Sequence, residues 1–568
     1  MSRSDKSPTP FLTILTRCPL MGVLSLGVVF LLALLAIVDT EHILATALRS
    51  SANDQVGYIS VGRHLAEFGE LRSSLIYPSI LNQQTTTNTL YVPGYFYSLA
   101  FSFRLFGYSA LSAFAPSLLS YLVASCALFL AARRLFDGAT AWMATILFMT
   151  FPAHLIYSSL AMAEMPLLAA SMLCFAAFVF VPTKWKAYAG PLLLFIPVSF
   201  RETAAVLLIP MTAVLIKESS AGRAKKAAVM VSLSLVVVIL EVAVLFGGRP
   251  SLFMVNVFSG DFFHKYADAF YQEQLSPSVI DWIDAIVGKV ESNVDSLLTL
   301  GSRTSFEAGS LWFLFALIPL GITLALWKRD LLVASFAAVG AVLAAALLAL
   351  YSVSGFTGIR FMLISHPFAA IIAARLLLGT VSQAHHRKLL ITTLFTGIIV
   401  GGLGVWNVKG DPKALHEREV STVTFLETLH HDDTRLLVAP FWLSLPYVLQ
   451  HFPVDWSFLP TDRRTLVRLS EDYRIGTIVL PVSRRYDRLT PQDILSVGFV
   501  HVARVAHDFT EFDIFREGEI PQRVHDSSQI ESLTTGFRSS FLQPRLGGPN
   551  SSFRAASHRP ESGEGETM

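Results

Sequence analysis

Long apolar blocks fill the chain up to about residue 407, and short alternating stretches follow. Blocks near 18 or more residues predict membrane helices. They fall at 20–38, 110–132, 139–159, 164–182, 188–200, 203–217, 227–247, 309–327, 331–351, 361–381 and 389–406. The pieces at 188–200 and 203–217 are shorter and hold Pro191, Pro197 and Pro210, so a re-entrant hairpin is the alternative there. The expected fold is an all-α polytopic bundle of about 11 transmembrane helices. Beyond 407, Val420–His430 and Leu443–His451 read as helices. Arg435–Ala439 and Thr477–Val482 read as strands, and Val502–Phe515 alternates as a strand pair would. That pattern predicts a small α/β domain over 407–517. From Gly518 to Met568 the Ser, Gly, Pro and Arg content predicts a disordered tail.

Charge then orients the bundle. Only 15% of the 568 residues are charged, against 53% hydrophobic, and the net charge of +2 gives no electrostatic case for nucleic acid. Arg133–Arg134, Lys184–Lys186, Lys217 to Lys226, Lys328–Arg329 and Arg387–Lys388 all fall in loops on one side, with Arg3 and Lys6 of the 1–19 N-terminus. The positive-inside rule makes that side cytoplasmic. Residues 39–109, with amphipathic Asp54–Phe68, the 248–308 loop and everything after Trp406 then lie outside. The apolar run 20–38 ends without a small-residue cleavage site and reads as a retained helix. Cys18, Cys126 and Cys174 share no metal-type spacing and read as inert thiols.

The external side collects the candidate chemistry. Asp54 follows the first span, and Tyr58 lies one helical turn on, on the same face. Glu164 precedes Met165-Pro166, where a helix N-terminus would favour its anionic form. Arg201 sits in the turn between the two short Pro-containing pieces, and Arg360 opens the tenth span. A guanidinium fork suits phosphate oxygens; snorkelling, or for Arg201 a pair with Glu202, is the plainer role. Glu241 lies inside the seventh span, where an ionisable group needs a partner. His430-His431-Asp432-Asp433 reads as a turn rather than a metal cluster. Gly401-Gly402-Leu403-Gly404 lies within a span and reads as close helix packing.

Asp54-Gln55-Val56-Gly57-Tyr58 after the first span, Tyr91-Val92-Pro93-Gly94-Tyr95, the carboxylate Glu164 and the late external Arg360 form a layout. It resembles the polyprenyl-phosphate-dependent glycosyltransferases of the GT-C fold, with the protein O-mannosyltransferase-like and aminoarabinose-transferase-like families nearest. The resemblance covers residues 20–406 in topology. It implies that Asp54 and Glu164 are catalytic carboxylates, that Arg201 and Arg360 contact the donor phosphate, and that Tyr58 and Tyr91 line the pocket. Apart from the resemblance, the position of Glu241 inside a span calls for pairing with a site arginine or for a protonated side chain. Gln55 stands where a second acid is common, Gly57 replaces an arginine of the aminoarabinose group, and Val92-Pro93 replaces its Lys-Pro pair. Those departures argue against aminoarabinose transfer to lipid A. The large lectin-like insertion of eukaryotic O-mannosyltransferases is missing, which favours a bacterial enzyme of the plasma membrane.

The implied reaction is an inverting displacement, in which a polyprenyl phosphate leaves the anomeric carbon as an external acceptor attacks. The implied partners are a lipid-linked sugar donor, membrane lipids, and a protein, lipid or glycan acceptor. The donor is a substrate rather than a cofactor. Some relatives use a divalent metal, but two separated carboxylates do not establish one here. An O-antigen-type polymerase or ligase would place its chemistry in a large late loop, whereas the acids here come early. A lipid-linked sugar flippase would show matched broken helices in two halves, and 188–217 has no counterpart.

Overall fold

The structure is a computed structural model. It describes residues 27, 52–71, 75–76, 93–219, 222–246, 279–301, 306–350, 360–409, 425, 436–439, 456–460, 463–472, 474–482, 489–507 and 510–517. The chain divides into Met1–Glu517 and Gly518–Met568. The second unit, the 20–38 span, the 1–19 segment, Tyr91 and the His430–Asp433 turn all lie outside the described residues.

Helices dominate, with a small mixed sheet near the C-terminus. Helix α1 (Ala52–Phe68) is followed by the two-residue strand β1 (Leu75–Ile76), then α2 (Gly94–Phe106) and α3 (Ala110–Leu135). Next come α4 (Gly138–Met149), α5 (Pro152–Ser158), α6 (Glu164–Phe180) and α7 (Thr183–Val198). A 3₁₀ turn (Glu202–Leu207) leads into α8 (Leu208–Glu218) and α9 (Arg223–Phe246). The bundle continues with α10 (Val279–Gly301), α11 (Phe306–Lys328), α12 (Leu331–Leu350), α13 (His366–Gly379) and α14 (His386–Lys409).

Local chemistry sets the boundaries. Ser109 caps α3 through a reciprocal bond pair with Ser112, and the Asp137 carboxylate accepts from the Thr140 N–H to start α4. Pro152 at the first position of α5 forces a break after Thr150, so the expected 139–159 span is two helices bent by 60°. The 188–200 piece also differs from expectation. Helix α7 begins at Thr183, five residues earlier, and carries Pro191 and Pro197 inside it. Its start falls where Lys186, wholly buried, donates to the Val179 carbonyl at 3.0 Å and pairs with Glu218 at 2.9 Å. That pairing lets charged residues continue a helix that hydropathy alone would shorten.

Among the described residues, Leu111–Leu135, Leu331–Ala349 and Arg360–Gly379 are each long and apolar enough to cross a membrane, and the bent α4–α5 pair passes the same test if taken as one span.

The remaining elements are β2 (Leu436–Ala439), β3 (Trp456–Phe458), α15 (Arg463–Asp472), β4 (Ile475–Pro481), α16 (Pro491–Leu495), β5 (Phe499–His507) and β6 (Thr510–Glu517). Sheet order is β1-β3-β2-β4-β6-β5, parallel from β1 to β4 and antiparallel thereafter. Period-two alternation divides its residues between two cores. Leu437, Ala439, Val479, Phe512 and Ile514 join the core continuous with the bundle, whereas Val438, Ile478, Leu480 and Phe515 pack with Leu466, Leu469 and Ile494 of α15 and α16. Strand β1 comes from the first loop, not from 407–517: Leu75 pairs with Trp456 and Ile76 with Ser457. The segment after the first apolar block and the C-terminal domain therefore lie on the same side of the bundle.

Candidate active site

Three of the charged residues singled out in the sequence meet. Glu164 opens α6 with a fully buried side chain. Arg360, at the start of the Arg360–Gly379 helical segment, donates from Nε at 2.7 Å and approaches with Nη2 at 2.7 Å, both to Oε1 of Glu164. Arg201, in the turn after α7, donates from Nη1 to the same oxygen at 3.2 Å, and its guanidinium lies 4.7 Å from the Phe361 ring centre. The second oxygen, Oε2, is buried and has no hydrogen-bond partner. Within the trio, two guanidinium charges face one carboxylate and leave one net positive charge.

Sequence brings these residues together through their loops. Arg201 follows Pro197, whose carbonyl accepts from the N–H groups of Phe200 and Arg201 at 3.1 Å each. The first-loop motif holds that turn in place: the Gly94 N–H donates to the Ser199 carbonyl at 2.9 Å. A Cβ on Gly94 would sit 2.7 Å from that carbonyl oxygen, so only glycine permits the approach. Residues Leu160–Glu164 are buried, and the turn ahead of Glu164 is pinned twice. Ser117 donates to the Met162 carbonyl at 3.4 Å, and the Ala161 N–H donates to Oε1 of Gln55 at 3.1 Å.

Gln55 is a residue that sequence reading treated only as a departure from a family pattern. It is fully buried and ties the first turns of α1 to the loop three residues before Glu164. Asp54 is its neighbour in α1. The placement of the Asp54 side chain, like that of Glu241 on α9, is outside what the structure describes. Tyr58 is buried at 4% exposure, with its ring 5.0 Å from that of Tyr95 and 5.7 Å from that of Phe96, so it joins α1 to α2. Tyr95, from the same first-loop motif, is fully buried and its hydroxyl has no hydrogen-bond partner. Nothing in the sequence marked it beyond that motif. Among the described residues no group of three or more His, Cys, Asp or Glu is arranged to hold a metal ion.

Comparison with known proteins agrees with the resemblance over part of the chain. Residues 91–246 match the family described as dolichyl-phosphate-mannose-protein mannosyltransferase, a stretch that holds the first-loop motif from Tyr91, Glu164, Arg201 and Glu241. No match was found among curated proteins. Similar solved structures include ArnT from Cupriavidus metallidurans bound to undecaprenyl phosphate. It is 13% identical at a TM-score of 0.40, over 87% of this chain and 99% of that one. They also include the oligosaccharyltransferase AglB from Archaeoglobus fulgidus in complex with an inhibitory peptide and a dolichol-phosphate. It is 10% identical at a TM-score of 0.48, over 90% of this chain and 75% of that one.

Proposed function

We propose that the chain is a multi-pass membrane glycosyltransferase that moves a sugar from a polyprenyl-phosphate donor to an acceptor on the non-cytoplasmic face. The observation that carries this reading is the convergence of Glu164, Arg201 and Arg360 on one buried oxygen, within and beside the 91–246 stretch that matches the mannosyltransferase family. The bundle is read as GT-C-type, with about 11 crossings and its N-terminus in the cytoplasm. The pairing of β1 with β3 supports that parity, because it puts the first loop and the C-terminal domain on one side. A bacterial plasma membrane is the proposed location.

Residue roles follow from charge. Displacement at an anomeric carbon needs a base for the incoming nucleophile and positive charge for the departing phosphate. Arg201 and Arg360 are the proposed phosphate contacts. Glu164, clamped by both guanidinium groups, is the proposed organiser: it holds the two forks against each other's repulsion. Asp54 is left as the proposed base, carried on a helix that Gln55 anchors beside the Glu164 loop. Tyr91 is proposed to line the pocket, and Glu241 to pair near the site.

The test is transfer by membranes supplied with polyprenyl-phosphate sugars, comparing wild type with Asp54→Asn, Arg360→Lys and Glu164→Gln. Loss of about 100-fold or more for Asp54→Asn and Arg360→Lys is expected. Transfer at the wild-type rate by both would overturn the proposal.

A further inference from the structure

Phe136, in the turn between α3 and α4, draws cations from two other helices onto one ring. The Lys217 ammonium, in the last turn of α8, lies 6.0 Å from the ring centre, and the Arg375 guanidinium of α13 lies 4.6 Å from it. Arg133 and Arg134 end α3 just ahead of it. The ring itself is fixed edge-on against Phe336 of α12, with 6.2 Å between centres. A ring face attracts a cation through its quadrupole but does not cancel the charge.

The carboxylates of these turns are committed elsewhere. Both oxygens of Asp137 accept from Thr140, one from its N–H and one from its hydroxyl. Glu218 pairs with the buried Lys186 at 2.9 Å and accepts from Thr183 at 3.2 Å. Oδ1 of Asp330 accepts from the Leu332 N–H at 3.1 Å, and its Oδ2 reaches Nη2 of Arg375 only at 3.6 Å, too far for a hydrogen bond. Nε of Arg375 is buried, but Nη1 and Nη2 make no hydrogen bond and reach the surface. Lys217 is exposed, and no carboxylate among the described residues pairs with it. The cluster therefore presents an open guanidinium edge and an open ammonium in positive excess.

We infer that this cluster binds the phosphodiester headgroup of an anionic phospholipid, held between Lys217 and the Nη edge of Arg375. Charge selects the headgroup. A phosphodiester suits an arginine fork and a lysine point charge, whereas a zwitterionic headgroup brings its own cation into a cluster already in positive excess. Surroundings select a lipid over a soluble phosphate. Arg375 lies near the end of Arg360–Gly379, a segment long and apolar enough to cross a membrane. The turns that meet here also carry exposed Trp185 and Trp327, each with a lysine at its ring: Lys184 at 5.8 Å and Lys328 at 4.5 Å. Leu331, next to Asp330, is exposed and offers apolar surface to acyl chains. Exposed Trp marks the level where hydrocarbon gives way to headgroups, and basic pockets between helices at that level hold acidic headgroups. The positive-inside rule puts this in the cytoplasmic leaflet. The site shares no residue with the Glu164 cluster and does not depend on the transferase reading.

The experiment places the full chain in nanodiscs of equal parts phosphatidylcholine and phosphatidylglycerol and counts the lipids it retains by native mass spectrometry. Wild type is expected to retain phosphatidylglycerol preferentially. The preference should fall about fivefold in Lys217→Gln and in Arg375→Gln, the value of one cation beside an anionic headgroup. Arg223→Gln with Lys225→Gln removes two exposed cations of α9 that take no part in the cluster, and should change the preference by less than about twofold. Soluble glycerol phosphate should fail to displace the lipid; displacement would identify a site for free phosphate and overturn the inference. Equal retention of the two lipids by wild type also overturns it, as does a loss in the α9 variant as large as in Arg375→Gln, which would show diffuse charge alone. The comparison of the two lipids is made on wild-type protein, so it decides even where a variant does not fold.

Discussion

Replacing Glu164 by Gln tests whether the clamp organises the bundle as its geometry implies. Gln keeps an oxygen near the position of Oε1 but removes the charge that both arginines address. A hydrogen bond to a charged group is worth about 1.5–3 kcal/mol and a neutral one about 0.5–1.5 kcal/mol, so each arginine forfeits roughly 1 to 1.5 kcal/mol. The sum is about 2–3 kcal/mol for Glu164→Gln. Glu164→Leu, which leaves two largely buried guanidinium groups with no carboxylate between them, should cost about 3–5 kcal/mol. The side chains are 0%, 10% and 17% exposed for Glu164, Arg360 and Arg201, so solvent screening takes little from these figures. Unfolding titrations in mixed micelles on wild type, Glu164→Gln, Arg360→Gln and the double variant would measure the coupling. A value of at least about 1 kcal/mol is expected. Additivity within about 0.5 kcal/mol would refute the clamp, since two groups sharing one oxygen cannot act independently.

The same geometry yields further expectations. Gly94→Ala sets a Cβ against the Ser199 carbonyl, displaces the Arg201 turn, and should lower transfer by about 100-fold in the membrane assay; unchanged transfer would show the turn is free to move. Gln55→Leu leaves the buried Ala161 N–H without its acceptor and should destabilise by about 1–3 kcal/mol in the same titrations, whereas Asp54→Asn should not. In the C-terminal domain, hydrogen bonds from Arg504 and then His501 hold the Asp513 carboxyl below its ordinary 3.8, offset in part by burial. Its folded-state value is the lower one, so its contribution is complete above pH 3.8 and disappears as pH falls through the depressed value. Hydrogen exchange of β5–β6 amides should therefore be flat from neutral pH down to about 4 and lose protection below it. Arg504→Leu should remove part of that acid-side loss, and an unchanged profile would discount the pair.

Most helices of the bundle were legible because apolar blocks are local properties, but α10 (Val279–Gly301), inside the expected 248–308 loop, was not. Arg133 and Arg134 lie in the last turn of α3 and Lys184 and Lys186 at the start of α7, one helix length beyond the point where Glu164 opens α6. The strands read at Arg435–Ala439, in the apolar run Thr477–Val482 and in the alternation of Val502–Phe515 overlap β2, β4 and the β5–β6 pair. The loop acid Glu164 and the arginines Arg201 and Arg360 could be named from position alone, as charged groups at one end of an apolar bundle. Their meeting on a single oxygen could not, because 196 residues separate Glu164 from Arg360 and no local pattern encodes that pairing. The same holds for β1: two residues of the first loop carry too little pattern to be read as a strand, and only their pairing with β3 makes them one. Gln55 and the His154–His366 pair were invisible for the same reason, since an amide or imidazole acquires its meaning from the partner that burial forces upon it. Hydropathy and charge order act over one helix and its loops, whereas the partner of a buried polar group is chosen by the packing of distant helices.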